Sequence, residues 1–241
     1  MRNLYLEVAS LDQRAVSTFG LSEEIMMEHA ALALREALCR RFPSGASVLI
    51  VCGSGNNGAD GLALARLLRE DYTVSIHLPF GASSPLAQLQ HERLDALGVR
   101  HAEYTGEYDV IVDAMFGSGL SRALGPSAAE MMEKLNAMRG FKIACDVPSG
   151  LFADGTLDPH TFRADLTVTM GGLKRGRYSD AAKEVCGEIV TADLGVGRSF
   201  YETPSTWKLL EESDLFLPIR TRASAHKGSF GHLAVVCGEK T

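Results

Sequence analysis

Three polar segments of the sequence each follow a short apolar run, and their residue types are those of a ligand-binding site. They span residues 53–61, 113–120 and 146–150. Short, β-branched apolar runs are typical of strands buried in a parallel sheet, and ligands of such sheets bind at the carboxyl ends of the strands. We therefore predict that the three segments form one site; ordinary turn formation is the alternative.

The first segment contains a G-x-G-x-x-G pattern at Gly53, Gly55 and Gly58, between a predicted strand and a predicted helix. This is the context of the dinucleotide-binding fingerprint. An NAD-dependent dehydrogenase also has an acid at the end of its second strand, whereas residues 74–78 here read Val-Ser-Ile-His-Leu. The glycines therefore indicate contacts with phosphate or ribose in an arrangement that differs from that of the dehydrogenases. The same loop also holds two asparagines and Asp60.

Asp113 and Asp146 each end an apolar run, where burial can perturb the pKa of a carboxyl group. The structural alternative is that either aspartate caps a helix or hydrogen-bonds to a neighbouring loop. Asn57, Asp113 and Ser149 supply only oxygen atoms, and one carboxylate among oxygen ligands suits a hard cation of low charge and not zinc. Hydrogen bonding to backbone remains open for Asn57 and Ser149.

Two further features are ambiguous. Lys174 and Arg175 follow a glycine pair, which allows either a phosphate contact or a solvated loop. Ser118 lies between two glycines but lacks the G-x-S-x-G frame of a hydrolase nucleophile.

The elements that must position these residues alternate along the chain. Residues 11–41 have a helical pattern, with Ser22 as a candidate N-cap. Strands are predicted at 47–52, 72–78, 108–114, 142–146, 166–170 and 188–191, and helices at 62–69, 84–97 and 126–138. The alternation predicts an α/β fold with right-handed βαβ connections and a mainly parallel sheet.

The composition restricts the class of protein. The chain has 241 residues and a formal net charge of −6, which suits one α/β domain with an appendage and argues against a nucleic-acid partner. Its five cysteines have no C-x-x-C spacing, which favours reduced thiols. No apolar run approaches the about 18 residues of a membrane span, and no secretory signal is recognised. We expect a soluble, cytoplasmic protein without a membrane partner.

Taken together, the motifs resemble those of the NAD(P)H-hydrate epimerase family. The resemblance rests on residues 51–61, 112–120 and 146–151, in the same order and spacing, and on Met-Glu-His-Ala at 27–30. It implies a Rossmann-like three-layer αβα sandwich, a homodimer, and NADHX or NADPHX as substrate. The family interconverts the R and S epimers at carbon 6 of the hydrated nicotinamide ring, so that an S-specific dehydratase can restore both.

The resemblance also assigns site residues. Substrate would be bound by Asn56, Asn57, Gly58, Ala59 and Asp60, by Gly117, Ser118, Gly119, Leu120, Ser121, Arg122 and Ala123, and by Asp146. A potassium ion would be held by Asn57, Asp113 and Ser149. The family usually has Gly at the position of Ala59 and commonly Thr at that of Ser118. We expect Asp146 to be the catalytic acid and base of a reaction through a planar iminium.

The C-terminal part of the sequence resembles a different unit. Residues 226–238 are similar to the entrance of the ADP- or ATP-dependent NAD(P)H-hydrate dehydratase domain, with residues 233–237 as its first strand. We therefore predict an epimerase domain over 1–203, then a linker and the truncated start of a dehydratase domain over 204–241. We therefore expect the natural protein to be bifunctional, with the dehydratase domain in the same chain. A self-contained tail is the alternative.

Two rival functions remain on this scaffold. One is an NAD-dependent dehydrogenase, against which the missing acid after the second strand counts. The other is a non-catalytic nucleotide-binding or partner-binding module, against which the presence of both Asp113 and Asp146 counts.

Overall fold

The fold is an α/β structure with two sheets. The structure, a computed structural model, describes residues 1–99, 106–215 and 222–230. Its strands are β1 Arg2–Tyr5, β2 Ser47–Cys52, β3 Thr73–His77, β4 Val110–Ala114, β5 Phe141–Cys145, β6 Leu166–Met170, β7 Leu173–Lys174, β8 Glu188–Ala192 and β9 Trp207–Leu209. Its helices are α1 Ala9–Phe19, α2 Glu23–Cys39, α3 Asn56–Leu68, α4 Pro85–Ala96, α5 Pro126–Ala137, α6 Asp180–Cys186 and α7 Arg198–Tyr201.

The main sheet has six strands, all parallel, in the order β3-β2-β4-β5-β6-β8. From β2 the chain moves first to β3 on one side and then to β4 on the other. This reversal is a topological switch point, and the segments after β2 and β4 diverge there to leave a crevice. The predicted α/β class and parallel sheet are confirmed.

Helices cover both faces of the main sheet, which gives the predicted three layers. Val48, Ile50 and Cys52 of β2 pack in one cluster with residues of α1 to α4. Leu49 and Val51, on the opposite face of the same strand, pack with α5. Because both faces are covered, β2 is apolar from Val48 to Cys52 and does not alternate.

The predicted helical stretch over residues 11–41 is two helices. Gly20 ends α1 in the left-handed region, with φ 69°, which costs glycine little. Ser22 then caps α2 as predicted, since its side chain accepts a hydrogen bond from the Ile25 N–H at 3.2 Å.

Helix α3 begins at Asn56, six residues before the predicted start. Glycines within α3 weaken the helical signal of the sequence, but one of them has a packing role. A Cβ atom on Gly61 would lie 2.6 Å from Ala114 Cβ and 2.9 Å from Cys52 Sγ. The absence of a side chain therefore lets α3 lie directly on β2 and β4.

The second sheet was not predicted. It has three strands in the order β7-β1-β9, with β1 parallel to β7 and antiparallel to β9. Strands of two to four residues carry no periodic pattern that a sequence reading can detect. This sheet pairs the first strand, β1, with the last strand of the described residues, β9.

Part of the predicted linker belongs to this second sheet, because β9 lies within residues 204–241. The Tyr5 hydroxyl also donates to the Thr203 carbonyl at 2.6 Å. The strand predicted over residues 233–237 lies outside the described residues. Within the described ranges, no helix is long and apolar enough to cross a membrane.

A substitution at Gly61 tests the contact of α3 with the sheet. We expect Gly61→Ala to lower the free energy of unfolding by about 1–3 kcal/mol, because overpacking outweighs the gain of about 1 kcal/mol in helix propensity. Urea unfolding followed by circular dichroism measures it. Gly119→Ala is the control, since a Cβ atom there meets nothing within 4 Å. Equal stability of the two variants would show that α3 does not depend on this close approach.

Candidate functional site

A cleft of about 780 Å³ lies at the carboxyl edge of the main sheet, over the switch point between β2 and β4. All three polar segments contribute to it, together with α1 and the end of β6. It is lined by Val8, Asp12, Ser54, Gly55, Asn56, Asn57, Asp60, Met115, Phe116, Gly117, Ser118, Gly119, Leu120, Ser121, Arg122, Asp146, Met170 and Lys174.

The first segment folds tightly against the second. A Cβ atom on Gly53 would lie 2.0 Å from the Met115 carbonyl oxygen, and one on Gly58 would lie 1.8 Å from that of Gly53. Both positions therefore require glycine for close approach of backbone to backbone. The turn delivers Asn56 and Asn57 to the start of α3, whose unpaired N–H groups and dipole favour an anion.

The expected substrate residues of α3 divide into two sets. Asn56, Asn57 and Asp60 line the cleft, whereas Gly58 and Ala59 do not. Ala59 is fully buried in the apolar cluster beneath α3. Its methyl group, where the family usually has glycine, therefore packs in the core and leaves the cleft unchanged.

The second segment brings residues 117–122 to the cleft and leaves Ala123 outside its lining. Its Ser118 N–H donates to Asp146 Oδ2 at 3.2 Å. This contact uses the backbone, so serine serves as well as the threonine common in the family.

Asp146 follows β5 and is the centre of a buried network. Lys174 Nζ donates to its Oδ1 at 2.5 Å, and the Met170 N–H donates to the same oxygen at 3.1 Å. The Arg177 guanidinium donates to its backbone carbonyl and lies 3.8 Å from its Oδ1. The side chains of Asp146, Lys174 and Arg177 are 9%, 2% and 3% exposed.

The charges around Asp146 decide its ionisation. Burial alone would raise the pKa of this carboxyl, but the charges of Lys174 and Arg177, with hydrogen bonds from Lys174 and the Met170 N–H, hold it well below its ordinary value. Asp146 is therefore an ionised carboxylate at neutral pH.

For Lys174, the sequence allowed two interpretations, a phosphate contact or a position in a solvated loop. The structure shows that the solvated loop is wrong. The residue is buried and lines the cleft, where it pairs with a carboxylate. Its backbone is held by the second sheet, with Lys174 opposite Tyr5 in the register of β7 and β1. The neighbouring Arg175 points the other way and lies over the Trp207 ring, 4.8 Å from its centroid.

Two of the three residues of the expected cation site, Asp113 and Ser149, are in direct contact. Asp113 Oδ2 accepts from the Ser149 N–H and its Oδ1 from the Ser149 hydroxyl, both at 2.7 Å. Burial raises the pKa of Asp113 to about 6, against the opposing effect of these hydrogen bonds. The Asn57 side chain lies beside Gly117, and its Nδ2 is buried without a hydrogen-bond partner within the described part of the chain.

This donor set fits a hard cation. Asp113 and Ser149 offer oxygen atoms. In the opposite orientation of the Asn57 amide, its oxygen takes the position of the unpartnered nitrogen and provides a third oxygen ligand. Within residues 1–99, 106–215 and 222–230, no group of three or more His, Cys, Asp and Glu residues could hold a metal, so a transition-metal site has no support there.

Two acids of the cleft have a different environment from Asp146. Burial, and then the charge of Asp146, raise the pKa of Asp60 well above its ordinary value. Burial also raises the pKa of Asp12, against a hydrogen bond that the Tyr201 hydroxyl donates to it at 2.6 Å. Sequence reasoning missed Asp12 and Tyr201, because they lie 189 positions apart and in no recognised motif.

The sequence comparisons agree with the geometry of the cleft. The chain matches the family model described as YjeF-related protein N-terminus over residues 23–176. It is 43% identical to the bifunctional NAD(P)H-hydrate repair enzyme Nnr of Helicobacter pylori, over 99% of this chain and 52% of that protein. It is 32% identical to the NAD(P)H-hydrate epimerase of Limosilactobacillus fermentum, over 78% of this chain and 93% of that protein.

One solved structure, that of the yeast protein ynu0 (YNL200c), has the same fold. Its TM-score is 0.66 at 20% identity, over 79% of this chain and 87% of the yeast chain. The chain spans about half the length of the bifunctional relatives it matches, 52% and 50% for those of Helicobacter pylori and Coxiella burnetii.

Replacing Lys174 tests the buried ion pair. We expect Lys174→Met to lower the free energy of unfolding by about 3–5 kcal/mol at pH 8, because it removes the cation in direct contact with the buried Asp146 carboxylate and leaves only Arg177, 3.8 Å away, to offset its charge. The loss should shrink as the pH falls towards 4. In the wild type the lowered pKa of Asp146 stabilises the fold at pH values above the pKa of the unfolded state, and this contribution is lost as the pH falls. In the variant the carboxyl lacks its nearest cation and its pKa is less lowered, so acidification costs the fold less.

Urea unfolding at pH 4, 6 and 8 provides the measurement. Lys183→Met is the matched control, since its ion pair with Asp180 is on the surface and contributes about 0–1 kcal/mol. A pH-independent loss in Lys174→Met would mean that the pair is not what stabilises Asp146.

Proposed function

The chain belongs to the NAD(P)H-hydrate epimerase family, and we propose that it interconverts the R and S epimers of NAD(P)H hydrate at carbon 6 of the nicotinamide ring. In this role it supports nicotinamide nucleotide repair, because an S-specific dehydratase can then restore NAD(P)H from both epimers. The observation that carries the proposal is the ionised, buried Asp146, which lies in a cleft built from all three family motifs.

The proposed reaction passes through a cation. Loss of the carbon 6 hydroxyl, assisted by the lone pair of the ring nitrogen, leaves a planar iminium to which water can add from either face. A fixed negative charge in a site of low dielectric stabilises such an intermediate. The carboxylate of Asp146, held in place by Lys174 and the Ser118 N–H, supplies that charge.

The remainder of the nucleotide would lie along the glycine-rich wall. The N-terminus of α3, at Asn56 and Asn57, offers backbone N–H groups to a pyrophosphate, and Arg122 is a cation that lines the same cleft. A dehydrogenase is less well supported, because β3 ends at His77 without an acid for the ribose hydroxyls.

A potassium ion is the proposed cofactor, held by Asn57, Asp113 and Ser149. The support is their oxygen donor set, the direct contact of Asp113 with Ser149 and the unpartnered Asn57 amide. A bound cation would fix the relative positions of the first, second and third segments and would compensate the buried charge of Asp113.

The wider context of the chain is also proposed. The relatives that carry both activities are about twice as long as this chain, which supports a dehydratase in cis in the natural protein. A homodimer is expected from the family resemblance. A cytoplasmic location agrees with free thiols at Cys39, Cys52, Cys145 and Cys186, since such thiols persist in reducing compartments.

The direct test is epimerisation of purified R-NADHX by this chain, followed by chromatography, with and without potassium. We expect conversion to an R/S mixture well above the spontaneous rate. No acceleration by the folded chain, together with tight binding of NADP-like ligands, would favour a non-catalytic binding module instead.

The cation proposal has a separate test in thermal unfolding. A ligand present at ten times its dissociation constant stabilises the native state by about 1.4 kcal/mol, which corresponds to a rise in Tm of about 3–6 °C for a domain of this size. We expect that rise when potassium replaces choline at equal ionic strength, and its loss in Asn57→Ala. Asn56→Ala, a change to the neighbouring residue, should retain it. An equal response of both variants would remove Asn57 from the site.

A further inference from the structure

A second, smaller cavity shares lining residues with the cleft, and two of these are acids. The second cavity has a volume of about 200 Å³ and a largely apolar wall formed by Met26, Met27, Ala30, Leu86 and Leu194, with Glu23 at its edge. Asp12 and Asp60 line both spaces. A ring bound beside the residues that both spaces share would therefore contact both carboxyls next to an apolar wall.

Asp60 differs from Asp146 in what occupies its oxygen atoms. Both oxygens of Asp146 accept hydrogen bonds, from Lys174 and Met170 on one side and from Ser118 on the other. The contact that the structure gives Asp60 is the Cys145 thiol, 3.9 Å from Oδ2, and a thiol is a weak donor. The carboxyl of Asp60 is therefore available to a ligand in the cleft.

The surroundings of Asp60 favour a proton on its carboxyl. Burial raises its pKa most, followed by the negative charge of Asp146, and Asp12 adds to the effect. The Cys145 thiol and the Lys174 ammonium act in the opposite direction but do not cancel it. An acid that donates a proton near neutral pH needs such a raised pKa.

Asp12 has the character of the complementary base. It lies on α1, half-buried, and the Tyr201 hydroxyl donates to its Oδ1 at 2.6 Å, which orients the carboxylate. Burial raises the pKa of Asp12, whereas Lys174 lowers it. Both Asp12 and Tyr201 lie outside the residues that match the family model, 23–176.

We propose, on the basis of the epimerisation proposed above, that Asp60 and Asp12 are the catalytic proton carriers and that Asp146 is an electrostatic stabiliser. Asp60 donates its proton to the carbon 6 hydroxyl, the carbon–oxygen bond breaks, and water leaves as the nitrogen lone pair forms the C=N bond. Water then adds to carbon 6 from the opposite face, the C=N electrons return to nitrogen, and the carboxylate of Asp12 takes the proton from that water.

Two carriers suit a reaction in which the hydroxyl leaves one face of the ring and returns to the other. After one turnover Asp60 is ionised and Asp12 is protonated, which is the state needed for the reverse epimerisation. A proton exchanged through water in the cleft restores the starting state. The assignment moves the proton-transfer role that the sequence suggested for Asp146 to residues that are not locked in an ion pair.

The test compares steady-state epimerisation of R-NADHX by matched variants, after subtraction of the spontaneous rate. We expect Asp60→Asn to lower kcat by about 10²-fold or more while KM changes by less than about threefold, since ground-state binding is largely kept. Glu184→Gln, a change to an exposed carboxylate of α6 that lines neither space, should behave as the wild type.

A second comparison separates proton transfer from structural support at Asp12. Asp12→Asn keeps an oxygen acceptor for the Tyr201 hydroxyl but removes the base, whereas Tyr201→Phe removes the hydrogen bond but keeps the base. We expect the larger loss of kcat in Asp12→Asn. A larger loss in Tyr201→Phe would show that Asp12 only anchors α1 and would overturn its role.

The pH profile identifies the acid. In the wild type kcat should fall as the pH rises through the pKa of Asp60, because the donor loses its proton. That fall should persist in Asp146→Asn, shifted to lower pH because the charge that raises the pKa of Asp60 is gone, and it should disappear in Asp60→Asn. With an active wild type, two results would overturn this inference alone. One is loss of the fall at high pH in Asp146→Asn, and the other is an Asp60→Asn variant that keeps more than about half of the wild-type kcat. An inactive wild type would overturn the proposed function and this inference with it.

Discussion

The ion pair of Lys174 with Asp146 is the interaction on which the site depends. Moving a charged ammonium or carboxylate from water into a protein interior costs several kcal/mol for each ion, and only close pairing with further hydrogen bonds offsets that cost. Lys174 is positioned by the second sheet, through the pairing of β7 with β1, and Asp146 by the end of β5. The pair therefore forms only when both sheets are in place, which couples the small sheet to the chemistry of the cleft.

The same pair separates the protonation states of two neighbouring acids. Lys174 and Arg177 keep Asp146 ionised although it is buried, and the resulting fixed negative charge makes ionisation of Asp60 less favourable. A cleft with two carboxyls in different states can supply an acid and an electrostatic stabiliser at one pH. Without the cations, Asp146 would also tend to bind a proton, and the cleft would lose its fixed charge.

Much of the main sheet could be predicted, because its strands are short apolar runs followed by glycine or acid, and those signals are local. The placement of Lys174 and Asp12 in the cleft, and of Tyr201 beside Asp12, could not. Lys174 looked like a loop residue because nothing in its neighbourhood reveals the pairing of β7 with β1. The contact of Asp12 with Tyr201 joins residues 189 positions apart. Helix α3 begins earlier than its pattern suggested because packing outweighs the low helix propensity of Gly58 and Gly61.

The backbone at Asp146 explains why so many groups converge there. Its φ is 64°, in the left-handed region that a residue with a Cβ atom adopts at a cost of about 1–3 kcal/mol. The chain turns at this point, with the Val147 N–H donating to the Cys145 carbonyl at 2.7 Å. Such a conformation persists only if the surroundings hold it. Lys174 and Met170 bind the side chain and Arg177 binds the backbone carbonyl, so the contacts that keep the carboxylate ionised also fix its direction. Strain, charge and orientation at this residue therefore have one common cause, and a change to any of the three partners should alter all of them.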